Sequence, residues 1–134
     1  MKRLVLAILT VAALALPVCA QSRAVVGDVP FGFVAGNSTM PPGQYTVNFS
    51  YDPFVVVLVD PDLHAQLLIP ITEDILSGSA QPALVFHRYG DQYFLSEIRT
   101  WNRSRELPKS PMEREAEKTA SAGRTGREIV VAMR

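Results

Sequence analysis

Gln44-Tyr45-Thr46-Val47-Asn48-Phe49-Ser50-Tyr51 alternates polar and apolar residues without a break. A pleated strand sends successive side chains to opposite faces. Tyr45, Val47, Phe49 and Tyr51 then share a buried face, and Gln44, Thr46, Asn48 and Ser50 a wet one. On a helix the same period would scatter the apolar residues around the axis. The segment predicts a strand packed on a core through one face, and the rest of the chain is read outward from it.

Upstream, Val25, Val29, Phe31 and Phe33 keep one parity, while Pro30 on the other parity lacks an N–H and confines that strand to an edge or a bulge. Pro42-Gly43 suits the central positions of a type II turn. Downstream, Phe54-Val55-Val56-Val57-Leu58-Val59 is apolar on both parities and rich in β-branched residues, the pattern of a central strand covered on both faces. Asp60-Pro61-Asp62 turns the chain, and Ala65, Leu67, Ile69 and Ile71 share one face of a further strand. A looser connection over residues 73–82 follows. Residues 83–89 and 92–101 flank Gly90-Asp91, a dipeptide fit for a two-residue type II′ hairpin that sets Phe86 opposite Leu95 and Arg88 opposite Tyr93. Six short strands with no helical period between them predict a mainly β fold, a small antiparallel β-sandwich or partly open barrel.

From residue 102 the character changes. Ser110-Pro111-Met112-Glu113 offers an N-cap serine, a proline at the first helical position and a glutamate placed to complete a capping box. A short C-terminal helix is expected, exposed and marginal because its apolar face holds little beyond Met112 and Ala116. Gly123 and Gly126 bracket a flexible joint before Ile129-Val130-Val131-Ala132-Met133, which reads either as a sticky end or as a final strand lying beside residues 25–33. Residues 21–101 carry three basic and eight acidic side chains, and residues 102–134 eight basic and five acidic. An acidic body therefore precedes a basic tail, which is expected to be solvated surface and to add little to stability.

The N-terminus sets the compartment. Lys2 and Arg3 precede an apolar run over residues 4–16 broken only by Thr10, and Pro17 and Val18-Cys19-Ala20 follow. This is the pattern of a secretory signal peptide over residues 1–20, cut after Ala20 to leave Gln21 first. The run is shorter than the roughly 20 residues of a membrane span and ends in a proline, so no transmembrane span is expected after cleavage. Cys19, three residues after Leu16, offers a lipidation site, although Val18 stands where a lipobox wants a smaller residue. Cleavage removes the single cysteine, so the mature chain folds without disulfides and is long enough for one unstapled core. The expected organisation is signal peptide 1–20, β domain 21–101 and basic tail 102–134, in the periplasm or outside the cell.

Val29-Pro30-Phe31-Gly32-Phe33, Pro42-Gly43-Gln44-Tyr45-Thr46-Val47, Leu84-Val85-Phe86-His87-Arg88-Tyr89-Gly90-Asp91-Gln92-Tyr93-Phe94-Leu95 and Arg105-Glu106-Leu107-Pro108-Lys109-Ser110 occur in that order. Together they resemble a family of small exported proteins of acidobacteria-like bacteria, over most of the mature chain. Met40-Pro41-Pro42-Gly43 departs from the Leu-Pro-Ala-Gly type of turn usual there. The resemblance implies export and an envelope or extracellular setting, and it carries no catalytic residues with it.

The residues themselves offer little chemistry. His64 and His87 have no metal-ligand spacing between them, and His87 reads as a hydrogen-bonded, half-buried histidine beside Phe94. Asp60 and Asp62 have oxygens for Ca²⁺, but Asp-Pro-Asp is also what a type I turn prefers. No nucleophile elbow or phosphate-binding glycine loop occurs. The candidate partner patch is Arg88, Tyr93, Glu97, Arg99 and Trp101, which the expected hairpin sets on one face; the competing reading points Tyr93 and Leu95 into the core with the charged side chains at its margin. The expectation is a non-catalytic exported binding or structural module of the bacterial envelope, with an envelope protein or glycan as partner, no cofactor and no nucleic acid. The alternatives are an envelope-tethered accessory lipoprotein and a hydrolase with an unfamiliar site.

Overall fold

The computed structural model describes residues 24–49, 55–60, 65–71, 73–76, 81–120 and 126–134. The signal segment 1–20, the end of the Asp60-Pro61-Asp62 turn and the joint at Gly123 lie outside them. The elements are β1 (Ala24–Val29), β2 (Phe33–Ala35), β3 (Ser38–Met40), β4 (Gly43–Phe49), β5 (Val55–Asp60), β6 (Ala65–Pro70), β7 (Glu73–Leu76), β8 (Ala83–Tyr89), β9 (Gln92–Arg99), β10 (Arg103–Glu106), α1 (Pro111–Ala120) and β11 (Arg127–Ala132). One sheet runs β1-β4-β5-β6 and the other β11-β8-β9-β10-β7. These pairings are antiparallel, while β2 meets β9 in parallel at Val34 and Phe94 and pairs with β3. The fold is mainly β, a sandwich-like pair of sheets that does not close into a barrel, with one short helix near the C-terminus.

The core lies between the sheets. Val25, Val29, Tyr45, Val47 and Leu58 from the first sheet pack with Phe33, Leu84, Phe86, Leu95 and Ile98 from the second. In β4, Tyr45 and Val47 are fully buried while Gln44 is exposed and Thr46 and Asn48 are only half-buried, as the alternation predicts. β5 is an interior strand, between β4 and β6. Its faces differ, however: Leu58 is fully buried and Val57 and Val59 are half-buried, because only one face of each sheet meets the other sheet.

Backbone hydrogen bonding places elements that side-chain pattern did not. β1 stops at Val29, so Pro30 lies outside the ladder. Gly43 does not occupy a type II turn but opens β4 opposite Val29. Residues 73–76, expected as a loose connection, pair with β10 as the outer strand of the second sheet. The hairpin at Gly90-Asp91 forms in the expected register, with Phe86 opposite Leu95, Arg88 opposite Tyr93 and Gly90 at a φ of 61°, the left-handed conformation such a turn demands.

The division at residue 102 is also revised. β10 lies between β9 and β7, and β11 pairs with β8 over its whole length from Arg127 to Ala132. The final strand therefore lies along β8 and reaches the first sheet only at its end, where Val26 and Arg134 exchange two backbone hydrogen bonds of 2.9 Å and Gly27 bridges Met133. Glycine permits that approach, since a Cβ at residue 27 would stand 2.9 Å from Met133 Cγ. The contact ties the two sheets together along one side.

The helix starts where the cap residues say. The Glu113 amide donates to Ser110 Oγ at 3.1 Å, and the Arg114 amide to the Ser110 carbonyl at 3.0 Å. The Glu113 carboxylate, however, does not turn back to complete a capping box; it reaches His87 on the sheet. Among the described residues no helix is long and apolar enough to cross a membrane.

Candidate functional site

A β-bulge decides where the predicted patch goes. Phe86 faces Leu95 but Val85 faces Glu97, so Ser96 is the extra residue of β9, and its hydroxyl donates to the Val85 carbonyl at 3.0 Å. The inserted residue reverses the parity of everything after it. Tyr93 and Leu95 turn to the inter-sheet face with Phe86, whereas Glu97 and Arg99 turn to the outer face with Val85. The five residues expected on one face are thus divided, with Trp101 half-exposed in the turn between β9 and β10.

Arg88 and Tyr93 belong to an aromatic chain that runs into the inter-sheet core. The Arg88 guanidinium lies 5.4 Å from the Tyr93 ring centre, and Tyr93 stacks on Phe31 at 3.9 Å. Phe31 meets Phe86 edge-on at 5.2 Å, Phe86 meets Phe33 at 5.2 Å, and Phe33 meets Tyr45 at 5.1 Å. The Tyr45 hydroxyl ends the series by donating to the Pro41 carbonyl. Arg88 itself is held locally by the Gly90 carbonyl at 2.7 Å and Asp91 at 3.5 Å. These contacts make the pair part of the packing, which is the reading in which Tyr93 turns inward and the charge sits at its margin.

The outer face of the second sheet carries a network of ion pairs. Arg99 grips Glu97 with two parallel bonds of 2.9 Å and reaches Glu128 at 3.4 Å, and the Ser104 hydroxyl donates to Glu97. Burial pushes the Glu97 carboxyl up, but the hydrogen bonds from Arg99 and Ser104, with the charge of Arg99, outweigh it and hold the group below its ordinary value. Glu97 therefore lends stability that is fully present above the ordinary carboxylate range and is lost as pH falls through its lowered value. Glu97→Gln is expected to lower the melting temperature at pH 7 and to narrow the gap to wild type at pH 3. An equal deficit at both pH values in paired thermal melts would contradict this.

His87 meets the description given from sequence: it lies opposite Phe94 and its Nδ1 is 2.9 Å from Glu113 Oε1. The histidine side chain is 33% exposed and that of Glu113 only 4%, so the pair ties α1 to the sheet through an almost buried acid. Ser104 engages Glu97 while His87 engages Glu113. Serine and histidine thus serve different acids, which is not the nucleophile–base–acid relay of a hydrolase. Among the described residues no group of three His, Cys, Asp or Glu gathers as a metal set.

One feature of this face was not read from the sequence. Between α1 and the β8–β9 hairpin tip opens a groove of about 930 Å³, lined by Tyr89, Gly90 and Gln92 on the sheet side and Met112, Glu115, Ala116, Thr119 and Ala120 on the helix side. Its signal was present, because Met112, Ala116 and Ala120 recur at helical spacing. That stripe had no assigned neighbour until the fold put Ala116 and Ala120 against Val34, Tyr89 and Phe94. No protein-family model, curated protein or solved structure matches this chain.

Proposed function

We propose that the chain is an exported, non-catalytic binding or structural module of the bacterial envelope. The observation that carries the reading is the contrast on the outer face of the second sheet. Glu97, Arg99, Ser104, His87 and Glu113 are engaged with one another, while the groove beside them leaves apolar surface open, with Met112 46% exposed. An apolar concavity with a few polar groups at its edge suits the binding of a ligand or partner. Export rests on Lys2, Arg3, the apolar run over residues 4–16 and the small residue Ala20.

Cys19 supports a second reading, an envelope-tethered lipoprotein. Intact-mass analysis of the full chain expressed in a bacterial host tests both. A mature form starting at Gln21 is expected in the periplasmic or extracellular fraction. A mass that retains residues 4–16 sinks export, and a diacylated Cys19, with palmitate labelling lost in Cys19→Ala, replaces the free module with the tethered one.

A further inference from the structure

We propose that α1 is a strap latched to the second sheet by His87 and Glu113, firm while His87 is protonated and loosened as pH rises through the imidazole range. This goes beyond the binding-module reading and stands on the latch itself. His87 Nδ1 lies 2.9 Å from Glu113 Oε1, and the carboxylate is almost wholly shut from water while the ring stays half-exposed. A carboxylate so placed depends on its partner, and a hydrogen bond from an imidazolium is roughly twice as strong as one from a neutral ring. The apolar part of the attachment is thin: Ala116 and Ala120 pack on Val34, Tyr89 and Phe94. A helix of ten residues is marginal without a surface to pack on. Its flanks are fixed separately, since the Leu107 amide donates to the Ser96 carbonyl at 2.9 Å and β11 is paired with β8. The segment can therefore lift without any strand leaving its sheet.

The surrounding groups leave His87 as the element that switches. From the strands, Glu97 lies within reach of its charge, Glu128 stands opposite it in register, and Arg99 binds both acids. Tyr89 meets the His87 ring edge-on at 6.2 Å. Lys109 and Tyr89 are the titratable neighbours of Glu113, and Lys109 is engaged with Glu117 at 2.8 Å. Carboxylates, guanidinium and ammonium ordinarily keep their charge between about pH 5.5 and 8, where an imidazole changes its own. Burial pushes the Tyr89 hydroxyl up, further from that range. With His87 charged, the contact is an ion pair; once the ring is neutral, a nearly buried carboxylate faces a weaker donor. Docking of α1 thus strengthens with proton uptake and weakens as the proton leaves. Because Met112, Ala116 and Ala120 form the helix wall of the groove, lifting the strap opens that wall.

Amide hydrogen exchange of the purified chain, corrected at each pH for the intrinsic exchange rate, reads the opening of residues 112–120 at pH 5.5 and at pH 8. Opening is expected to be about tenfold more frequent at pH 8, the difference between a hydrogen bond to a charged group and a neutral one. β8 and β9 are expected to keep their protection at both pH values, which separates a lifting strap from global unfolding. His87→Gln keeps a donor without the charge, and Glu113→Gln removes the acid; each is expected to open equally at both pH values. His64→Gln, at the other histidine of the chain, is expected to keep the wild-type dependence. Circular dichroism melts verify that the variants fold, and if one does not, the other and the wild-type comparison decide. Equal opening of wild type at both pH values, a dependence that survives in His87→Gln or Glu113→Gln, or one that vanishes in His64→Gln overturns the proposal. So does a dependence that β8 and β9 share in equal measure.

Discussion

A chain stopped after Ala120 is expected to lose cooperative folding. The missing strand, β11, is hydrogen-bonded to β8 from Arg127 to Ala132, and its inward residues Ile129 and Val131 pack on the core that contains Leu84 and Phe86. Met133 is buried beyond it and holds the approach to Gly27 that ties the sheets. Fully burying one such side chain contributes about 1.5–3 kcal/mol. Three of them, partly or wholly buried, together with the edge of β8 left unpaired, approach the whole stability of a small domain, about 5–15 kcal/mol. The exposed β8 edge is in addition a template for aggregation. Circular dichroism melts and light scattering of the two lengths decide the matter. A truncated chain that stays monomeric and melts within a few degrees of the full one would return residues 121–134 to the dispensable tail that composition implied.

That reversal shows where side-chain pattern stops carrying information. The hairpin register was legible because a two-residue turn at Gly90-Asp91 leaves one way to pair the arms. β4 was legible because its polar and apolar residues alternate strictly. In contrast, Arg103-Ser104-Arg105-Glu106 has no strand signature, yet β10 forms because β9 offers it and β7 backbone partners on both sides. Such a ladder forms through backbone groups that every residue but proline carries, whatever its side chain. The bulge at Ser96 left a faint trace, the three-residue step between Leu95 and Ile98, which share the inter-sheet core where strict alternation demands an even step. Extending the alternation through it sent Glu97 and Arg99 to the wrong face, and with them the predicted patch. The groove was legible only in its helical half, since Tyr89 and the helix residues come to line it through tertiary packing that no local period encodes.

The same limit governs β5, where substitutions to aspartate at neighbouring positions are expected to diverge. The run from Phe54 to Val59 gives no parity signal, and it predicts equal harm from a charge at Val57 or Leu58. In the fold Leu58 is fully buried in the inter-sheet core, opposite Val47 and Leu67 in register, whereas Val57 faces outward and is half-buried opposite Asn48. A carboxylate at residue 58 would lie among Tyr45, Val47 and their neighbours without a cation, at a cost of about 4 kcal/mol or more, enough to unfold a marginal domain. At residue 57 the carboxylate reaches water past its neighbours, and the loss reduces to β propensity and partial burial, about 1–2 kcal/mol. Asn48→Asp, on the same wet face as Val57, is expected to change stability by less than about 1 kcal/mol. Thermal melts of the three variants should therefore rank Leu58→Asp far below Val57→Asp, with Asn48→Asp close to wild type. If Val57→Asp unfolds the chain as completely as Leu58→Asp, the outer face of this sheet is covered as well and the two-layer description fails at its central strand.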